Sequence, residues 1–278
     1  MSEIWIMIAV MGATGALAGF GAGLLGIGGG AVMVPGLYYA FHYMGVDPAL
    51  MTHCAVATSA AVIIVNSSRA LATHYRLGNV EGALLWPKNI LKSYALWIGI
   101  GAFIASVFIA PKLSSLQLTL TFAILTFVMS LQFIFGRPSW RLRDNVPGGV
   151  IRPVIGSVIG GLSGLIGIGG GSLSVPLMSM CAVPMRKAIG TASGFGLAIG
   201  LPAALGFIIS GWSVPNRPDF SLGYVNVPAF ISLVLAAFIC VPLGAHLANR
   251  LPQAQLKCIF GICLMCVAGN MMFKSLSG

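Results

Sequence analysis

Two glycine clusters are the residues best suited to chemistry. Residues 23–35 read GLLGIGGGAVMVP and residues 164–176 read GLIGIGGGSLSVP. Nine of thirteen positions are identical at a constant offset of 141, and the match takes in five glycines and the proline. Three consecutive glycines destabilise a helix by about 1 kcal/mol each relative to alanine. The proline that follows, Pro35 or Pro176, withholds a donor from the next turn. Unwound backbone of this kind leaves amides free, and the helix that restarts aims its positive end at the same place. The chemistry on offer is the binding of a small anion by Gly28, Gly29 and Gly30 together with Gly169, Gly170 and Gly171. Two readings compete. Small residues also serve close helix packing, which covers Gly19, Gly21 and Gly23, or Gly160, Gly161 and Gly164. A nucleotide loop would need a preceding strand and an acid about 20 residues on, or a GK[ST]. Neither copy offers these, so no cofactor is expected.

Polar side chains inside apolar segments come next. Thr58, Ser59, Asn66, Ser67 and Ser68 lie in one segment, Thr191 and Ser193 in its counterpart, and Ser172 and Ser174 just after the second glycine cluster. A hydroxyl within a helix commonly bonds its own backbone. Recurrence of Thr58 and Thr191 at related positions points instead to neutral donors for an oxyanion. Arg69 sits near a helix end, where the long side chain either snorkels to the surface or meets the anion. His53 could couple transport to protons, or hold structure only.

Much other chemistry is excluded. Only 7% of the 278 residues are charged and 58% are hydrophobic, against roughly 25% charged in a soluble domain. The mean hydropathy is +0.97. The chain reads as an integral membrane protein, and no alternation of apolar and polar residues suggests a barrel. The net charge of +10 would suggest nucleic acid in a soluble protein, but here fits basic loops at a membrane. All five acids (Glu3, Asp47, Glu81, Asp144 and Asp219) fall in or beside expected loops. No carboxylate is left within a span for a metal-cation pathway, a proton relay or hydrolysis. Of the six cysteines, Cys263 and Cys266 form a CxxC, but in an apolar stretch without a partner pair. No metal site and no enzyme activity are expected. The N-terminal run has no basic residue before it, unlike a secretory signal.

The elements that must position these groups are helices. Apolar runs fall at roughly 4–26, 31–45, 49–72, 93–110, 113–136, 148–167, 172–184, 187–211, 225–249 and 253–273. The second and seventh are too short for a bilayer core of about 30 Å and read as broken helices. Further echoes keep the same order: AVAT at 55–58 with AIGT at 188–191, and LGNV at 77–80 with LGYV at 222–225. The expectation is one all-α membrane domain of two copies, 1–136 and 148–278, joined by a basic linker at 137–147. If each glycine-broken pair crosses and returns, each copy has about five segments and the copies are inverted. With the linker cytoplasmic, only Lys112, Arg217 and Lys274 of the 15 Lys and Arg then lie outside, leaving twelve inside. Parallel copies give ten against five, a poorer fit to the positive-inside rule. Both termini are expected outside.

The doubled GhxGIGGGxhxVP pattern, the AIGT segment and the LGxV turns together resemble the sulfite exporter family of TauE/SafE type, over essentially the whole chain. Ala57 stands where the second copy has Gly190. The resemblance implies an inner-membrane permease for sulfite, sulfonates or related sulfur-containing anions, mostly exported. The residues themselves support an anion or small polar solute. An anion channel, or a permease for another small anion such as a carboxylate, stays open. The expected partners are that solute and the lipid bilayer, with a homo-oligomer open.

Overall fold

The computed structural model describes residues 2–136, 143–250 and 252–277. Residues 137–142 of the expected linker lie outside the described residues. The chain is all-α, as expected. The first stretch holds α1 (Ser2–Leu25), α2 (Gly30–Tyr43), α3 (Pro48–Arg76), a single turn α4 (Gly82–Leu85), α5 (Tyr94–Ile104) and α6 (Ser115–Phe135). The second holds α7 (Ile151–Ile166), α8 (Gly171–Met180), α9 (Met185–Gly211), α10 (Val227–Arg250) and α11 (Gln253–Ser277). A two-strand hairpin, β1 (Ser221–Leu222) with β2 (Val225–Asn226), precedes α10. Among the described residues, α3, α6, α9, α10 and the 19-residue stretch from Tyr94 to Lys112 are each long and apolar enough to span a membrane.

Local chemistry fixes several ends. Asp47 caps α3 by accepting from the Ala49 amide at 2.9 Å, with Pro48 in the first turn, where a missing N–H costs nothing. Ser114 and Gln117 form a reciprocal capping box on α6. The two breaks behave differently from the other ends. α1 stops at Leu25 and α7 at Ile166, and the next helices restart within four or five residues. At 1.5 Å per residue, the 14 residues of α2 reach about 21 Å and the 10 of α8 about 15 Å. Neither covers a hydrocarbon core of about 30 Å.

Glycine sets how closely the layers pack. α1 lies along α10 with both chains running the same way: Gly15, Gly19 and Gly23 face Leu233, Ala237 and Val241 in order. α7 lies along α5 in the same sense, with Gly156 and Gly160 against Trp97 and Ile98, and Gly164 against Ala102. A methyl on Gly23 would fall 1.9 Å from the Val241 carbonyl oxygen, and one on Gly160 1.8 Å from that of Ile98. Backbones approach this closely in membranes because the only gain available is contact itself. At the centre, α3 crosses α9 in opposite directions: Ala60 faces Gly200, Ser67 faces Gly196 and His74 faces Gly190.

Candidate functional site

The two glycine breaks meet. A methyl on Gly30 would lie 1.9 Å from the Gly167 carbonyl oxygen, one on Gly169 2.1 Å from that of Ile27, and one on Gly171 2.6 Å from that of Gly26. Real Cβ contacts are never this short, so glycine is imposed here by backbone crossing backbone. Gly28 and Gly29 add a second requirement, with φ of 74° and 83° in the left-handed region. Residues 26–31 and 165–172 are all buried.

Breaking two helices frees both donors and acceptors, and the structure treats the two kinds differently. Several of the freed carbonyls are capped. Asn66 Nδ2 donates to Gly28 O at 3.3 Å and Ser59 Oγ to Gly167 O at 2.8 Å. Ser172 Oγ donates to Gly169 O at 3.1 Å, Ser174 Oγ to Gly170 O, and His74 Nε2 sits 2.9 Å from Gly23 O. The amides of Gly28, Gly29, Gly30, Gly169, Gly170 and Gly171 make no hydrogen bond among the described residues. Three side-chain atoms there are also unsatisfied, Asn66 Oδ1, Ser67 Oγ and His74 Nδ1, all in essentially fully buried residues. Ser67 Oγ would be 2.2 Å from a methyl on Gly196, and the Gly170 amide nitrogen 3.6 Å from that same point. The crossing thus gathers six buried amide donors without a hydrogen bond, while several of its carbonyls already accept one. Buried polar groups normally find partners, so a cluster of donors that does not is a candidate binding site.

The structure places the residues expected from the sequence as follows. Asn66, Ser59, Ser172 and both glycine triplets come together at the crossing. Ser193 bonds Ile189 O at 3.2 Å, and a methyl on Gly26 would fall 3.3 Å from its hydroxyl, so it borders the crossing. Thr58 and Thr191 do other work. Thr58 Oγ1 accepts from the Asn226 amide at 3.0 Å, and Thr191 Oγ1 from the Glu81 amide at 2.8 Å. Each threonine thereby pins one LGxV turn onto a central helix. Thr58 is eight residues from Asn66 on α3, about 12 Å along the axis. Arg69 is exposed, its guanidinium 4.3 Å from the Phe238 ring centroid. That is a cation–π contact, and it occupies the charge expected for the anion. His53 is tied at the other end of α3, with Nε2 3.2 Å from Ala110 O and its ring stacked on Tyr224 at 5.2 Å. Burial, with the Cys54 thiol adding to it, holds the Tyr224 phenol above its ordinary range, so it stays neutral. Gly196 is the residue sequence reasoning passed over, and Ser67 is noted among the polar residues of its segment without being assigned to the site.

The threonine contacts carry a prediction. Thr58→Val and Thr191→Val each leave a loop amide without its acceptor, so each should lower stability by about 1–3 kcal/mol. Thermal melts of the purified variants check this, with the two losses of similar size.

These features fit what the chain is similar to. The family model described as sulfite exporter TauE/SafE matches residues 11–271. The chain belongs to that family. A Haemophilus influenzae protein named "Probable membrane transporter protein" is 34% identical over 265 residues, covering 94% of this chain and 96% of that one. A Methanocaldococcus jannaschii protein of the same description is 24% identical, covering 92% of this chain and 91% of its own. One from Xylella fastidiosa is 29% identical with 94% of each covered. No solved structure matches. Membership makes this a multi-pass membrane transporter, and the long apolar helices agree with it.

Proposed function

We propose that the protein is a secondary transporter that exports a small sulfur-containing oxyanion, sulfite or a sulfonate, by alternating access across a bacterial-type inner membrane. One observation carries this reading: six amides from the two breaks are buried at the crossing without a hydrogen bond among the described residues, while the carbonyls of Gly28, Gly167, Gly169 and Gly170 each accept from a side chain. Six amides from two chain segments can replace the water of an oxyanion without a buried fixed charge. Burial of the crossing favours a carrier over a channel, because the solute reaches the amides only when the helices part.

Two inverted halves, 1–136 and 148–278, are the parts that would rock. In support, the related helices α3 and α9 run in opposite directions. The pairing of α1 with α10 is answered by that of α7 with α5, as a two-fold axis in the membrane plane would require. Charge orients the assembly. Lys187 pairs with Glu81 at 3.1 Å and Arg186 Nη2 donates to Asn249 O at 3.0 Å. This gathers Arg76, Arg186, Lys187 and Arg250 toward one end, the cytoplasmic one by the positive-inside rule. A basic inner end concentrates anions where export begins. At the opposite end a cavity of about 510 Å³ opens beside Asp47, Arg217 and Asn226, and on this reading that end faces outward.

Counterflow in proteoliposomes tests the proposal. Vesicles preloaded with unlabelled sulfite should accumulate labelled sulfite, and sulfate-free controls without protein should not. Single-channel openings carrying a sustained anion current, with no counterflow, would replace the carrier reading.

A further inference from the structure

We infer that Asn66 reads a hydrogen on the ligand, so that the site prefers a singly charged oxyanion that keeps one hydrogen-bond donor. This rests on the anion reading above. The orientation of the Asn66 amide is set by its surroundings: Nδ2 donates to Gly28 O at 3.3 Å, and a flipped amide would place oxygen against oxygen. Oδ1 therefore points away from that carbonyl. It is buried and has no donor among the described residues.

A buried carbonyl without a donor is costly. An oxyanion with no hydrogen brings only further lone pairs and leaves Oδ1 facing negative charge. An oxyanion that retains an O–H, or that carries an N–H beside its oxygens, closes the deficit. Ser67 Oγ has the same lack of a partner, but a hydroxyl rotates to donate or accept as needed. Asn66 cannot, and so it discriminates. The groups nearest Asn66 give the chemical class: six unpaired amides beside the fixed Asn66 Oδ1 acceptor match a ligand with many acceptors and one donor. A monoprotonated oxyanion of HXO3 type or an aminosulfonate fits. A bare dianion does not, both for want of the hydrogen and because none of the residues at the crossing carries a formal charge to offset a second one.

Methylphosphonate and methanesulfonate make the test. Below the second ionisation of methylphosphonate the two have the same shape and charge, and only the phosphonate has an O–H. Isothermal titration of the purified protein should show methylphosphonate binding about tenfold tighter. That advantage should disappear as the pH is raised through its second ionisation, with methanesulfonate unchanged. Asn66→Leu should bring the two affinities to within about twofold at the lower pH, and the wild-type comparison stands whether or not this variant folds. Equal affinities in the wild type, or tighter phosphonate binding at the higher pH, would overturn the inference and leave the anion site intact. Binding of neither these anions nor sulfite would overturn both.

Discussion

Gly30→Ala abolishes transport on this account, and Gly169→Ala does the same. Each added methyl would lie about 2 Å from a carbonyl oxygen of the opposite break, at 1.9 and 2.1 Å. Both partners are backbone, so no side-chain rotation can relieve the contact and the breaks must separate. Overpacking of this kind costs about 1–3 kcal/mol in stability. The larger loss is geometric, because amides from the two segments no longer converge and a shift of about 1 Å is enough to ruin such a site. Counterflow of sulfite should fall at least about a hundredfold. Gly12→Ala is the control: Gly12 lies within α1 and nothing is within 4 Å of the added methyl. That variant should keep full transport and gain up to about 1 kcal/mol from helix propensity.

Ser67→Ala should separate stability from binding. The Ser67 hydroxyl is buried and bonds nothing among the described residues. Removing it from the unliganded protein takes away an unsatisfied group, so the melting temperature should hold or rise. If the proposed site is right, the same change also deletes a donor to the anion, and the dissociation constant for sulfite should rise about tenfold. A residue that only packs the α3–α9 contact would lose both together. Melts with and without sulfite on one preparation read the two effects side by side.

The helices were legible because a membrane leaves the backbone no choice. Every apolar run expected from the sequence became a helix with ends shifted by a few residues, since internal hydrogen bonds are the only ones available in lipid. The glycine breaks were legible for the opposite reason, as the one place where helix propensity fails twice in the same pattern. The partners of Thr58 and Thr191 were not. Their repeated positions were visible, but which amide each would meet depends on where the LGNV and LGYV turns fold back, with Gly78 and Gly223 at φ of 69° and 57°. Ser67 was hidden among neighbours of similar type. α3 is buried around most of its circumference, so helical periodicity could not separate Ser67, which faces α9, from Ser68, which is exposed and bonds Ile64 O at 2.6 Å. Arg69 drew attention by its charge, while the Phe238 ring that engages it lies far along the chain.

Amide chemical shifts in glycine-labelled protein test the central claim most directly. The protein, labelled with nitrogen-15 at glycine and held in detergent, would be titrated with sulfite. The resonances of Gly28–Gly30 and Gly169–Gly171 would be assigned by single substitution. This account predicts that these six move together, saturate at one affinity and shift in the direction of stronger hydrogen bonding. Saturable sulfite binding that moves other glycines and leaves these six still would contradict it.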